Sequence, residues 1–364
     1  MPDYDLIDLL IAIVSVLFAL FTLASFIKWN NWWIRIFDYP RLQISSVLLV
    51  LMIFSFIYFS FSESWHFLVL GVQGVSLFYQ TRKIYRFTFL VKNQVHTHRG
   101  DYNEHSISLM VSNVLQDNHK SDKVLELVNK LQPHLLLLLE TDKWWEDQMK
   151  PIEKDYPYTL KKPQDNFYGM NLYSRFELID PVIKYLVEDD IPSFESIIRI
   201  DSNDLIKIFC LHPRPPFPTE SDTTRNRDAE LLIVGKKVKN EQLPVLIFGD
   251  FNDVAWSNTT SLFQKISSML DPRIGRGFYN TFHAKSPLMR WSLDHIFHSS
   301  HFKLIRINRL PKIGSDHFPI FVHLYLDVTA PAEQEKPDAS AEEEQEATEK
   351  IQEAEPQLKT IGSK

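Results

Sequence analysis

Cysteine is almost missing from this chain: Cys210 stands alone among 364 residues. No intrachain disulfide can form, and a cysteine-based metal site is excluded. A surplus of positive charge is missing too. The formal charge is -7, and residues 327–364, with eleven acids and four lysines, account for all of it. The rest of the chain is neutral and lacks the strongly basic balance of a dedicated nucleic-acid binder. No internal repeat is present. The 45% hydrophobic content allows a sizeable core in one large domain or two ordinary ones.

Long apolar runs, by contrast, are concentrated in the first ninety residues. Residues 6–27 and 44–61 have the length and composition of membrane-spanning helices. Residues 66–80 form a shorter third run, interrupted by Gln73. Three buried helices of a soluble core is the competing reading, but two of the runs are long and apolar for that. The charges favour three spans. Lys28, Arg35 and Arg41 separate the first two runs, and Arg82, Lys83, Arg86 and Lys92 follow the third. Asp3 and Asp5 precede the first run, and the link 62–66 has no lysine or arginine. Three crossings put both basic segments on one side, which the positive-inside rule makes cytoplasmic. Trp29, Trp32 and Trp33 sit where interfacial aromatics belong. The expectation is a three-helix anchor over 1–92 in an inner or cell membrane, multi-pass, with the domain that follows in the cytoplasm.

From about His105 the pattern changes to short apolar runs between turns. SISLMVSNV, HLLLLLETD, YGMNLYSRF, SIIRI, LIKIFCLH, LPVLIFGD, SLDHIFHS and DHFPIFVHLYL read as strands. KVLELVNKLQ and RNRDAELLIVGKKV read as helices. The globular unit is expected over 105–327. The acidic tail, 328–364, has no apolar period and reads as disordered.

Several of these strands end on one kind of chemistry. SLMVSN ends at Asn113, LLLLLE at Glu140, LIKIFCLH at His212, and VLIFGDFN at Asp250 and Asn252. Asp294 stands beside His295 in SLDHIF, and GSDHFPI presents Asp316 and His317. A sheet delivers strand ends to one rim, so residues about 200 positions apart can converge. Oxygen donors suit Mg2+ or Mn2+, which bind through one or two carboxylates plus substrate phosphate. Histidines beside such an ion can move protons at a phosphoester, and an Asp partner would fix a tautomer. Asp250 and Asp253 could instead cap the following turn. Asp253 and Asp228 are read as structural, His295 as supporting rather than catalytic, and His283, His298, His301 and His323 as packing or surface residues.

In their order, SNV, ETD, LHPRPP, GDFND, LDH and SDHFPI resemble the signatures of the endonuclease/exonuclease/phosphatase superfamily, which includes DNase I, exonuclease III, neutral sphingomyelinases and inositol-polyphosphate phosphatases. With WWIRIFDYPRLQ between apolar runs, the arrangement looks like a membrane-anchored bacterial branch of it. The resemblance implies an α+β fold, a DNase I-like four-layer α/β/β/α sandwich, and a Mg2+- or Mn2+-dependent phosphoester hydrolase. It implies Glu140 as principal metal ligand, with Asn113 and Asp316 beside the ion. Asp250 would orient or deprotonate the attacking water, Asn252 would hold the phosphate, and Asp294 would pair with His317. His212 would stabilise the phosphate or protonate the leaving group. Trp291 is a candidate for a substrate pocket, with packing the equal alternative. Arg225 and Arg227 could hold a second phosphate or pair with acids on a helix. The Pro-rich loop 212–222 is expected to border the cleft. Expected partners are a bilayer and a phosphoester: a lipid head group, a small phosphoester, or nucleic acid. A non-catalytic binding protein on the same fold is a further alternative.

Overall fold

Each apolar run of the first ninety residues becomes a helix in the computed structural model, which describes residues 6–27, 29–217 and 219–361. Residues 1–5 and Lys28, which enter the charge expectation, and 362–364 of the tail lie outside the described residues. Helices α1 (Leu6–Ala24), α3 (Arg41–Tyr58) and α4 (Ser64–Ile84) pack together, with a one-turn helix α2 (Trp32–Arg35) between the first two. The interruption at Gln73 explains the packing. Its amide donates to Ser15 Oγ at 2.8 Å and Ser55 Oγ at 2.9 Å, joining all three helices. Two turns further along α4, Gln80 donates to Thr22 Oγ1 at 3.1 Å and accepts from Arg41 at 2.9 Å. Polar side chains paired this way hold apolar helices together where the hydrophobic effect cannot. Outward, Leu10, Ile13, Leu20, Ile53, Phe56 and Leu68 remain exposed.

The three-span expectation is met in part: among the described residues two helices, α1 and α3, are long and apolar enough to cross a membrane. The third, α4, carries the buried His66, Gln73 and Gln80 on the face it turns to its neighbours. Arg41, expected as a flanking cation, is itself fully buried and paired with Asp38 and Gln80.

Beyond the helices, two sheets stack. The first contains β1 (Ser106–Asn113), β2 (Leu135–Leu139), β3 (Tyr158–Lys162), β4 (Met170–Ser174), β10 (Phe302–Arg309) and β11 (Ile320–Leu326), in the order β10-β11-β1-β2-β4-β3. The second runs β5 (Glu177–Lys184), β6 (Ser193–Arg199), β7 (Leu205–Leu211), β8 (Val245–Asp250), β9 (Asp294–His298). Period-two alternation divides each strand between two cores. Leu135, Leu137 and Leu139 of β2 join Ile208, Cys210, Leu246 and Phe248 between the sheets. Leu136 and Leu138 face outward onto α5 (Ser121–Leu131) and α6 (Lys143–Met149). On the other side Phe209, Leu211 and Ile247 meet α7 (Arg225–Lys239) and α8 (Asn258–Ser267). A run of five leucines is thus a strand buried on both faces. The expected α+β, four-layer α/β/β/α sandwich is the observed fold.

A second correction concerns the tail. After a short α9 (Ala330–Glu333), residues expected to be disordered form α10 (Ala341–Ile361), which packs on α7 and α8. Its fully buried residues are alanines, Ala347 and Ala354, with Ile351 half-buried beside them, too little to register as an apolar period. Its acids meet lysines: Glu344 pairs with Lys239 and Glu343 with Lys265. Lys350 reaches the buried Asp228 at 2.8 Å.

One buried acid in α7 makes stability depend on pH. Glu230 is enclosed beside β6, accepting a hydrogen bond from Ser193 Oγ at 2.8 Å. Burial raises its pKa from 4.5 to about 8. The folded chain therefore holds a proton that the unfolded chain releases near pH 4.5, so this contribution is full below that pH. It is lost progressively as pH rises to about 8. Replacing Glu230→Gln should flatten that decline. Chemical denaturation of the two proteins from pH 5 to 9 should diverge by a few kcal/mol, at roughly 1.4 kcal/mol per unit of pKa shift. Parallel profiles would show that Glu230 does not set the slope.

Candidate active site

Two parallel pairings create the site. β1 runs parallel to β2 with Asn113 opposite Leu139, so Asn113 and Glu140 leave the first sheet at the same edge. β7 runs parallel to β8 with Leu211 opposite Gly249, so His212 and Asp250 leave the second sheet side by side. Antiparallel neighbours then begin at that rim. β9 starts with Asp294 directly across from Asp250, and β11 enters opposite Val111 after the turn holding Asp316 and His317.

The backbone at the rim is unusual. Glu140 and Asn252 adopt left-handed φ values of 58° and 51°, costly for residues with a Cβ. Gly249 is required by close approach: a Cβ there would lie 1.9 Å from the Leu211 carbonyl oxygen. These turns bring carboxylates inward. Asn113 Nδ2 donates to Glu140 Oε1 at 2.7 Å and to Asp250 Oδ2 at 3.2 Å. Asp250 Oδ1 accepts from the Asn252 amide at 2.9 Å. His317 Nδ1 bonds Asp294 Oδ2 at 2.8 Å, and its Nε2 stands 3.6 Å from Asp250 Oδ2.

Protonation follows from these contacts. Burial opposes charge on His317, but Asp294 and Asp250 outweigh it and hold its pKa up at about 10. Burial drives His212 the other way, to about 4, so its imidazole is neutral near pH 7. Burial lifts Glu140 to about 7 against the Asn113 hydrogen bond, and it lifts Asp250 as well.

Asp250, Asp294 and His317 present ligand-type atoms within 4.8 Å of one another. Their hydrogen bonding is that of a proton-holding group: Nδ1 of His317 is committed to Asp294, and a charged imidazole repels a cation. The donors left for a metal are the cavity-facing carboxylates. Glu140 Oε2 is buried without a hydrogen-bond partner among the described residues, an acceptor that wants a positive partner. Glu140, Asp250 and the half-buried Asp316 line the same cavity. An all-oxygen donor set of this kind fits Mg2+ or Mn2+.

The expected residues divide into two groups. Asn113, Glu140, His212, Asp250, Asn252, Asp294, Asp316 and His317 share the rim. Within it, Asn113 acts first as a donor to two carboxylates, since its Oδ1 accepts from the Leu115 amide at 3.0 Å. Asn252 lines the cavity, and its side chain donates to the Pro213 carbonyl at 2.9 Å. Trp291 lines the cleft and packs on Phe282 and Tyr39. Arg225 and Arg227 are placed elsewhere. Arg225 faces α10, 3.5 Å from Glu353. Arg227 is buried behind the site, donating to the Asn252 carbonyl at 2.8 Å and pairing with Asp228 at 2.8 Å and Asp253 at 3.4 Å. Both follow the His212 loop in sequence, but they open a helix that turns them away from the cleft. His295 is fully buried between Arg273, at 2.7 Å, and the Asp253 carbonyl, at 2.8 Å, a structural position.

Sequence reasoning missed what the N-terminal segment contributes. Tyr39 donates to the Asn252 carbonyl at 3.0 Å. Trp32, Arg35, Ile36, Phe37 and Tyr39 line a cavity of about 630 Å³ that opens onto Glu140, Asp250, Asp316 and His317. The loop after His212 borders it through Pro215, Pro216 and Phe217. The unusual WWIRIFDYP stretch was the one available signal.

A two-sheet sandwich with acids and histidines gathered on one rim defines a class of phosphoester-processing proteins. The chain belongs to the Endonuclease/Exonuclease/phosphatase family, whose model matches residues 109–317. Among solved structures, D. rerio TDP2 complexed with single strand DNA product is similar at 14% identity, with 60% of this chain and 98% of that chain covered and a TM-score of 0.50. The endonuclease/exonuclease/phosphatase from Bacteroides vulgatus is similar at 15% identity, with 61% and 99% covered and a TM-score of 0.50. At these identities the likeness concerns the fold. No curated protein matches the chain.

The placement of the two arginines can be measured. Removing Arg227 leaves Asp228 and Asp253 buried with less compensation, so Arg227→Ala should destabilise the protein by about 3 kcal/mol or more. Arg225→Ala, a surface pair, should stay within about 1 kcal/mol. Urea unfolding of the detergent-solubilised full chain provides the comparison. Equal stabilities, with substrate affinity lost in either variant, would return the arginines to the substrate.

Proposed function

We propose that the protein is a membrane-anchored, divalent-metal-dependent phosphoester hydrolase acting on lipid head groups or small phosphoesters. One observation carries the reading: Glu140, Asp250, Asp294 and His317, with Asn113 bridging the first two, form one hydrogen-bonded and ion-paired cluster at the base of an open cleft. A Mg2+ or Mn2+ ion held by Glu140, with Asp316 and Asn113 nearby, would set positive charge against the phosphoryl oxygens.

The protein's own groups account for the proton traffic. Asp250 accepts a proton as the water oxygen bonds to phosphorus. The P–O ester bond breaks, and the departing alcohol oxygen receives a proton from an imidazole N–H. Asp294 holds His317 in the orientation that faces Asp250. His212, buried and neutral, is suited to donating a hydrogen bond to a phosphoryl oxygen. Microscopic balance is kept: water gives one proton up, and the alcohol takes one.

Anchoring rests on α1 and α3, whose outward apolar side chains need a nonaqueous cover. With α4 taken as a third crossing, the basic residues around Arg82 and Lys83 support a cytoplasmic catalytic domain. A nuclease is the second reading, favoured by the fold shared with TDP2. The cleft wall argues against it: arginine and lysine are represented by Arg35 alone among the described residues lining it, whereas strand binding relies on several cations.

The test is turnover of bis(p-nitrophenyl) phosphate and p-nitrophenyl phosphate by the full chain in detergent, with Mg2+ or Mn2+ and with EDTA. Turnover should require the metal. Asp250→Ala and His317→Ala should each lower kcat/KM by roughly 100-fold or more. The double variant should be little worse than either, because the groups act as a unit. A wild type inert toward both substrates, or variants that keep their rate, would sink the proposal.

A further inference from the structure

The cleft has two unlike ends. At its base stand Glu140, Asp250, Asp316 and His317. Its wall is aromatic and aliphatic, and much of it belongs to the segment between α1 and α3. Ile36 is 48% exposed and Phe217, across the opening, is 55% exposed. Phe37 stacks on Phe21 of α1, with ring centroids 5.1 Å apart, and both rings line the cavity. Phe21 sits near the end of a helix long and apolar enough to cross a membrane. An occupant filling the cavity therefore runs from buried carboxylates to the surface of an apolar helix. A phosphate or sugar alone would leave the wall wet; a nucleic-acid backbone would want cations where Ile36 and Phe37 stand.

We propose that the cleft takes the phosphoester of a long-chain lipid, with its hydrocarbon laid along Phe21, Ile36, Phe37 and Phe217. This deepens the hydrolase reading and rests on it for the reacting end. Arg35 stands among the wall residues, paired with Asp38 Oδ2 at 3.5 Å. It provides a positive group for an anionic head. The occupant is amphiphilic because the cavity is. The segment 32–37 is a specificity element rather than a passive linker.

The inference is tested by binding, without turnover. Ethyl, butyl, hexyl and octyl phosphate are titrated calorimetrically into the full chain in detergent with Mg2+. Affinity should rise roughly threefold for each added methylene that reaches the wall, so octyl phosphate should bind roughly 100-fold or more tightly than ethyl phosphate. The pair Ile36→Ser with Phe217→Ser, both exposed, should erase most of that gain while ethyl phosphate affinity moves less than about threefold. An unchanged chain-length series in the variant would assign the gain to micelle partition and overturn the inference. So would a flat series in the wild type, or tighter binding of decathymidylate than of octyl phosphate. Failure of the alkyl series with bis(p-nitrophenyl) phosphate still hydrolysed would reject the lipid substrate and keep the hydrolase. The converse would reject the hydrolase alone.

Discussion

Three carboxylates, two of them fully buried, cannot share one rim unless positive charge or hydrogen-bond donors come with them. Glu140, Asp250 and Asp294 are enclosed together, and the structure answers their crowding in separate ways. Asp294 and Asp250 hold a charged His317 between them. Asn113 spans Glu140 and Asp250 with one amide. Glu140 keeps an oxygen without a partner among the described residues, and burial lifts its pKa to about 7. The remaining imbalance leaves an acceptor suited to a cation, and the hydrolase proposal builds on it. The strained turns at Glu140 and Asn252 are a consequence, since only a folded sandwich on both sides can hold such residues in left-handed conformations.

That constraint reaches outward through the GDFND turn. Its Asn252 carbonyl accepts from Arg227 behind and from Tyr39 in front. Arg227 is fixed by Asp228, and Asp228 is met by Thr259 of α8 and Lys350 of α10. The GDFND turn is thus braced by a helix from the acidic tail and a tyrosine from the N-terminal segment. Both elements look dispensable in the sequence, yet they bear on the same few backbone atoms.

Central strands were legible because they are buried on both faces, and their apolar runs end at the residues of the rim. The strands that escaped reading, β3, β5 and β10, are all sheet edges. Tyr158–Lys162 and Glu177–Lys184 are half-exposed, and the second contains Pro181 and a left-handed Asp180, devices that blunt an edge and hide its period. The rim residues could be chosen because a strand end is a position in the sequence. Arg225 and Arg227 could not be placed, because which face of α7 meets the sheet depends on packing. The tail helix was hidden for a related reason: an alanine interface backed by Glu–Lys pairs carries no hydrophobic signal.

The N-terminal helices and the sandwich are one unit. Asp38 accepts from Trp256 Nε1 at 2.8 Å through its carbonyl while its carboxylate holds Arg41. Asn31 bridges Thr223 as a strand would, and Ile84 and Phe87 share a buried cluster with Val254, Trp256 and Leu293. A tether that only localised an enzyme would need none of these contacts. Because the same segment supplies the cleft wall, the orientation of the rim relative to α1 is fixed by packing rather than by a flexible link. On the lipid proposal, a substrate approaching along α1 would pass Phe21 and Phe37, which line the cavity, with its hydrocarbon already aligned. The cost of ordering the chain falls before the phosphoester reaches Asp250, which is where pre-organisation favours binding most.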